Sequence, residues 1–345
     1  NKCFPDGKGR EVTAHDFKYC LDKVCEAFPE NQMFWLFKDK VKGANEYYAS
    51  TQNGKPLEGG VEGIQVIDDY TLKIELNYPY AIFLKLLSHS ACWVYPKEAF
   101  DTYGVEMRVN CVGTGPFRVK NIKEGEAVVL ERNPEYWDVD EFGNQLPYLD
   151  AVKYTFIKEK KAELLEFRKG NLEMVFRLPL EMIKDVVGEL EDAKKGGNIP
   201  FVMQVVPAMS VFYYGFQHKL DPFKDKNVRR AFNYAIDREK IVTYTLQGEG
   251  RPGIHGIVPP FKGYDAEGVK GYTFDPEMAK ELLAEAGYPN GEGFPKITLQ
   301  INSGGGDRNV QTAEVIQKML KENLNLYTQI NEVKVNTFSR LLVSC

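Results

Sequence analysis

The stretch from Val112 to Asp138 constrains this chain more than any other. It runs Val-Gly-Thr-Gly-Pro-Phe-Arg-Val-Lys, then a polar turn, then Ala-Val-Val-Leu-Glu-Arg-Asn-Pro-Glu-Tyr-Trp-Asp. Phe117 and Val119 alternate with Arg118 and Lys120, the pattern of a strand with one apolar face. Asn121 to Glu126 supplies a polar turn and Ala127 to Leu130 an apolar return strand, so the segment predicts a β-hairpin on a buried sheet. Gly113 and Gly115 are expected to permit a tight backbone approach at its entry, and Pro116 fixes φ at the first strand residue. Asn133-Pro134 ends the return strand and presents Tyr136 and Trp137 from a loop.

Helix and strand signals alternate along the rest of the chain. Thr13 is placed as an N-cap with Asp16 at the third helical position and Val12 and Phe17 as a hydrophobic staple; Phe17, Leu21, Val24 and Phe28 continue an apolar stripe. Ile64 and Val66 face Leu72, Ile74 and Leu76 across a hairpin that turns at Asp68-Asp69. A short helix is expected over Ala81–Leu87 and a strand over Val152–Ile157. The helix Ala162–Arg168 is stopped by Gly170. A strand is expected over Leu172–Phe176, a helix over Glu181–Glu189 and a buried strand over Val211–Phe216. A helix from Asp225 carries Val228, Ala231, Phe232, Ala235 and Ile236 on one face. Asp275-Pro276-Glu277 is a helix start with cap, first-turn proline and first-turn acid, and Gly287 ends that helix. The strand Lys296–Ile301, the helix Asn309–Leu324 and the strand Leu326–Val335 complete the reading. Mixed elements over 345 residues predict an α/β or α+β protein with more than one sheet and roughly two domains.

The formal net charge of -5, with no basic stripe interleaved with aromatics, argues against nucleic acid as a partner. The runs Lys158–Lys161 and Lys194-Lys195 read as solvated charges. No apolar stretch approaches the length of a membrane span, and Asn1-Lys2-Cys3 opens on no signal peptide, although an exported protein freed of its leader would also begin this way. Six cysteines, at 3, 20, 25, 92, 111 and 345, form no metal-ligand spacing. They are either ordinary buried thiols or disulfide partners in an oxidising compartment, the pairs to test being Cys3 with Cys20 or Cys25, and Cys92 with Cys111. Catalytic chemistry finds no footing: there is no G-x-S-x-G elbow, and His15, His89, His218 and His255 carry no catalytic context. Asp68-Asp69 belongs to a turn, and Gly304-Gly305-Gly306 lacks the ending of a phosphate loop. No catalytic residue, metal site or cofactor is therefore expected.

Six strings, in order, resemble one family. Glu11-Val-Thr-Ala-His-Asp-Phe-Lys-Tyr19, Val66-Ile-Asp-Asp-Tyr-Thr-Leu-Lys-Ile-Glu-Leu76, Gly113-Thr-Gly-Pro-Phe117 with Leu130-Glu-Arg-Asn-Pro-Glu-Tyr-Trp137, Tyr213-Tyr-Gly-Phe216 with Asp221-Pro-Phe, Val228-Arg-Arg-Ala-Phe-Asn-Tyr-Ala-Ile-Asp-Arg238 and Ala279-Lys-Glu-Leu-Leu-Ala-Glu-Ala-Gly-Tyr288 are similar to the extracytoplasmic solute-binding proteins of peptide, dipeptide and nickel ABC importers. The resemblance implies a periplasmic-binding-protein-like α/β fold of two lobes (type II, with an extra subdomain). The family's chains start before Thr13 and run beyond Cys345, so this one resembles an interior fragment lacking N- and C-terminal segments. Residues 1–112 would form the smaller subdomain of lobe one, 113–214 its main sheet domain and 215–345 the second lobe. The lobes would close over a small peptide or other small solute and deliver it to permease subunits, the ligand raising the closed population by differential affinity. A monomer in the periplasm or otherwise outside the cytoplasm, meeting the membrane only through a lipid anchor or the permease, is implied. Oligosaccharide or nickel-chelate binding is the alternative within the family, and a hydrolase on a look-alike α/β scaffold the alternative outside it.

Binding residues carry over by position. Lys85-Leu-Leu-Ser-His89 keeps the pattern in which a histidine faces the cleft. The end of the strand at 172–176 nominates Phe176 and Arg177, and the strand entering the second lobe nominates Tyr213 and Gly215. Some peptide binders place an acid where Gly215 stands, and oligopeptide binders can place an aromatic where Val335 precedes Thr337-Phe338. The Gly113-Thr-Gly-Pro turn and the corner Asn133–Trp137 read as architecture rather than as solute contacts.

Overall fold

The computed structural model describes residues 1–196 and 201–334. The aromatic position at Val335, Thr337-Phe338 and Cys345 lie outside the described residues. The chain divides into two compact units, residues 1–157 and 158–345.

The first unit opens with helix α1 (Ala14–Val24), started as the sequence predicts. The Thr13 N–H donates to Asp16 Oδ2 at 2.9 Å, and the Asp16 N–H to the Thr13 carbonyl at 3.0 Å. Arg10 adds a bidentate grip on the buried Asp16 (2.8 and 2.6 Å) and a second on Glu98 (2.6 and 2.9 Å). Hydrogen bonds from Arg10 hold the Asp16 carboxyl below its ordinary pKa. Helix α2 (Ala44–Gln52), the antiparallel hairpin β1 (Ile64–Asp68)–β2 (Thr71–Ile74), helix α3 (Phe83–Leu86) and helix α4 (Lys97–Tyr103) follow. Ile64 pairs with Ile74 and Val66 with Leu72 across the two expected arms, but Asp68 pairs with Thr71, which puts the turn at Asp69-Tyr70 rather than Asp68-Asp69, and Leu76 bridges to Val41 instead. The core here is Leu21, Val24, Cys25, Leu36, Phe37, Val41, Ala44, Val61, Ile64, Phe83 and Cys92. Each aliphatic side chain removed from water contributes about 1.5–3 kcal/mol. The unit ends in an antiparallel sheet of β3 (Phe117–Lys123), β4 (Ala127–Arg132) and β5 (Ala151–Thr155), in that order.

The second unit holds helix α5 (Lys160–Arg168), ended by Gly170 at φ +79°, and helix α6 (Ile183–Gly196). Helix α7 (Lys226–Ala235) is capped by Asp225, short helix α8 (Arg238–Lys240) by Asp237, and helix α9 (Pro276–Glu285) by Asp275, which accepts from the Met278 N–H at 3.0 Å. Strand β6 (Ile297–Asn302) pairs in parallel with strand β7 (Thr328–Val333) across the intervening helix α10 (Gly306–Leu324). Val228, Ala231, Phe232 and Ala235 of α7, Leu282 and Leu283 of α9, and Ile316, Leu320 and Leu324 of α10 make one core.

Five further expectations are corrected. The stripe on α1 is narrower than predicted: Leu21 and Val24 are buried, whereas Phe17 and Phe28 are 43% and 45% exposed and flank it. The turn of the β3–β4 hairpin is shorter than Asn121–Glu126, because a bulge between Val119 and Asn121 lets β3 continue to Lys123 with Ile122 taking the inward place. The glycines before it face open space: a Cβ on Gly113 or Gly115 would meet nothing within 4 Å, so no tight approach occurs there. Neither 172–176 nor 211–216 is a strand, since no described strand pairs with them. The proposed cysteine pairs are not formed. Cys3, Cys20, Cys25, Cys92 and Cys111 are free thiols, Cys20 Sγ donating to the Tyr95 carbonyl at 3.3 Å.

Candidate functional site

His89, in the first unit, follows α3 and caps a one-turn helix at Ser90–Cys92. Its Nδ1 accepts from the Ala91 N–H at 3.1 Å, and its ring meets Trp35 edge-on at 6.2 Å between centroids. One ring nitrogen is thus committed to the backbone, which leaves Nε2 as the ring's other polar atom.

The four other expected residues lie in the second unit, on two irregular segments. Phe176 is 74% exposed, and the Arg177 guanidinium stands 5.6 Å from the centre of its ring. Arg177 adopts φ +67°, a left-handed conformation that is unfavourable for a side-chain-bearing residue and persists only where its surroundings impose it. Leu178 then precedes Pro179, which biases it to extended backbone, and Leu180 is buried at the start of the turn into α6. Arg308, in the first turn of α10, donates from Nη2 to the Leu178 carbonyl at 2.9 Å and from Nε to Glu249 Oε2 at 2.8 Å. Tyr213 is 67% exposed and Gly215 is exposed beside it. They belong to a run, 201–216, whose backbone makes no backbone–backbone hydrogen bond with another described residue. Val202, Val205, Val206 and Phe212 in the same run are 79–83% exposed.

None of the five residues lines a described cavity. A shallow depression of about 330 Å³ sits among Asn1, Val109–Cys111 and Val119–Ile122, and a groove of about 610 Å³ runs past His15, Lys18, Leu57–Glu62 and Ile64–Val66. Among the described residues no group of three histidine, cysteine or acidic side chains is placed to hold a metal ion, and no helix is long and apolar enough to cross a membrane.

The corner after the hairpin is half as expected. Asn133 is buried and ties the turn together: its backbone N–H donates to the Pro116 carbonyl at 2.8 Å, its Nδ2 to the Gly115 carbonyl at 3.0 Å, and its Oδ1 accepts from the Glu135 N–H at 3.2 Å. Trp137, in contrast, is 73% exposed and is not packed into that corner. Two features escaped the sequence reading. The grip of Asn133 on Gly115 joins residues 18 positions apart, which no local pattern encodes. Arg308 does leave a trace: a cation in the first helical turn opposes the helix dipole, so a role off the helix is a reason for its place there.

The family model for bacterial extracellular solute-binding proteins, family 5 (Middle), matches residues 1–342. The chain belongs to that family. It is 29% identical over 342 residues to the oligopeptide-binding protein OppA of Bacillus subtilis, covering 96% of this chain and 58% of OppA. Among solved structures, the oligopeptide-binding protein OppAIV of Borrelia burgdorferi superposes with a TM-score of 0.73 at 25% identity over 97% of this chain and 63% of its own. The binding protein MoaA of A. tumefaciens R10, solved with mannopinic acid, gives a TM-score of 0.67 at 24% identity over 97% of this chain and 60% of its own. The fold is accordingly the periplasmic-binding-protein-like α/β fold. The chain spans 58% of the length of the OppA proteins of Bacillus subtilis and Salmonella typhimurium and 41% of the glutathione-binding protein GsiB of Salmonella typhi.

Proposed function

We propose that the protein captures oligopeptides or dipeptides outside the cytoplasm and hands them to the permease of an ABC importer. The match to OppA along nearly the whole chain carries this reading. A second observation fits it. The irregular run 201–216, which makes no backbone–backbone hydrogen bond with another described residue, carries exposed apolar side chains, and a segment of this kind can pair its backbone with a peptide. Phe176, Arg177, Tyr213 and Gly215, and His89 in the first unit, are the proposed solute contacts. The division at 112/113 and 214/215 is part of the same reading. A monomer without enzymatic activity, held at the membrane by a lipid anchor or by the permease, completes it. The test is mass spectrometry of the solute that co-purifies with the full-length protein: a set of short peptides is expected, and a sugar, sugar acid or nickel chelate in their place would overturn the peptide assignment.

A further inference from the structure

We infer that Arg308 is the positioning residue of the Phe176–Arg177 segment: it fixes the geometry in which those side chains are offered to a solute without touching the solute itself. The inference rests on the reading that this segment contacts the solute.

Three observations carry it. First, the backbone is constrained over four residues, Arg177 left-handed at φ +67°, Leu178 restricted by the following proline, Leu180 buried. A left-handed arginine is unfavourable and must be held from outside its own residue. Second, the hold is visible: Arg308 Nη2 reaches the Leu178 carbonyl, 130 residues away in sequence, at 2.9 Å. That carbonyl belongs to the residue after the strained one, so the bond fixes the Leu178–Pro179 peptide plane and with it the path of the chain that leaves Arg177. Third, Arg308 is itself immobilised. Its side chain is only 19% exposed, and Nε and Nη2 both donate to Glu249 Oε2. Glu249 sits in a turn bounded by Gly248 and Gly250, both at positive φ. A planar guanidinium suits this task because its fork serves two acceptors in different directions at once, which an ammonium does not do with fixed geometry. The location at the start of α10, where the helix dipole disfavours a cation, is what a positional role accounts for and helix stability does not.

The experiment compares Arg308→Met, Arg308→Lys and Glu249→Gln with the unaltered full-length protein. Two readouts are taken: hydrogen exchange of the amides at 176–178, and calorimetric titration with an equimolar set of tri-, tetra- and pentaalanine. Arg308→Met is expected to speed exchange at 176–178 selectively, relative to the buried amides of α10, and to weaken peptide binding about tenfold, the scale of a lost charge-assisted hydrogen bond. Arg308→Lys, which retains one donor toward Leu178, is expected to recover part of both. Glu249→Gln keeps the bond to Leu178 and is expected to hold affinity within about twofold even where it lowers the melting temperature. Unchanged exchange at 176–178 in Arg308→Met would overturn the inference. So would a loss of affinity that follows the melting temperature equally in Arg308→Met and Glu249→Gln. Faster exchange in Arg308→Met, with no peptide bound even by the unaltered protein, would instead refute the peptide assignment and leave the hold of Arg308 on the segment standing.

Discussion

Replacing Asn133 isolates the contribution of one buried amide to the hairpin entry. In Asn133→Ala the backbone bond to Pro116 survives, while two side-chain bonds go: Nδ2 to the Gly115 carbonyl (3.0 Å) and Oδ1 from the Glu135 N–H (3.2 Å). Each neutral hydrogen bond contributes about 1 kcal/mol net, and both freed backbone groups belong to exposed residues that water can reach, so the loss should be about 2 kcal/mol rather than the larger penalty of sealed, unpaired groups. Asn133→Asp separates donor from shape. Ionised, it keeps an acceptor for Glu135 but turns a second oxygen on the Gly115 carbonyl in a buried site, so at pH 7 it should cost at least as much as alanine. Burial and that carbonyl raise the pKa of the new carboxyl in the folded state. Its penalty therefore shrinks as pH falls through that raised value, because the protonated acid donates where Nδ2 did. Urea unfolding read by tryptophan fluorescence suits the measurement, since Trp35, Trp93 and Trp137 are the chain's three tryptophans and all lie in the first unit. A loss below about 0.5 kcal/mol in Asn133→Ala, or a gap between Asn133→Asp and the unaltered protein that is the same at pH 7 and pH 4.5, would refute the reasoning.

Other outcomes follow from the same structure. Gly60→Ala should destabilise the first unit by about 2 kcal/mol, read by the same unfolding assay: Gly60 has φ +76°, and a Cβ there would lie 2.1 Å from Asp22 Oδ2, where Asp22 is paired with Lys18 and bonded to the Val61 N–H. Asp16, its pKa depressed by Arg10, contributes stability that is present above the ordinary carboxylate range and lost as pH falls through its lowered folded-state value, since the unfolded chain takes up that proton first. Asp16→Asn should therefore flatten the fall in stability of the first unit below about pH 4, and an unchanged acid limb would exclude Asp16 as its source. Phe176→Ala and Tyr213→Ala, at side chains 74% and 67% exposed, should leave stability within about 0.5 kcal/mol while weakening peptide binding about tenfold by calorimetry.

The parts of the fold legible in the sequence are those specified locally. Thr13 with Asp16, Asp225 and Asp275-Pro276 announce helix starts because a cap satisfies backbone donors within three residues of itself, and each forms where expected. The two arms of β1–β2 are legible because period-2 alternation marks an apolar face on each, whereas the irregularity between Val66 and Asp68 that shifts the turn by one residue leaves no such mark. Segments 172–176 and 211–216 fail for the converse reason. An apolar run states only that a residue tolerates burial, while a strand also requires a neighbouring edge to take its hydrogen bonds, and that is a fact about distant chain. The family resemblance nominates Phe176 and Tyr213 by position, whereas nothing in the sequence marks the left-handed Arg177 or the reach of Arg308 to Leu178, since backbone strain and contacts across 130 residues leave no periodic mark.

This difference explains why the family is easier to read from the chain than the solute. The hairpin Gly113–Trp137 carries a signature because its architecture depends on specific groups: Asn133 alone spans to Gly115, Pro116 and Glu135 from a buried position, and few side chains offer one donor and one acceptor of that length. Such a site tolerates little change whatever the protein binds. Phe176, Tyr213 and the exposed valines at 202, 205 and 206 are under no comparable packing constraint, being more than half exposed in the described structure. Their identities can vary at little cost to the core. A fold held by such a clasp can accept different residues in its exposed segments without losing stability, so residues that select a solute should be sought where backbone and side chains are least committed to the core.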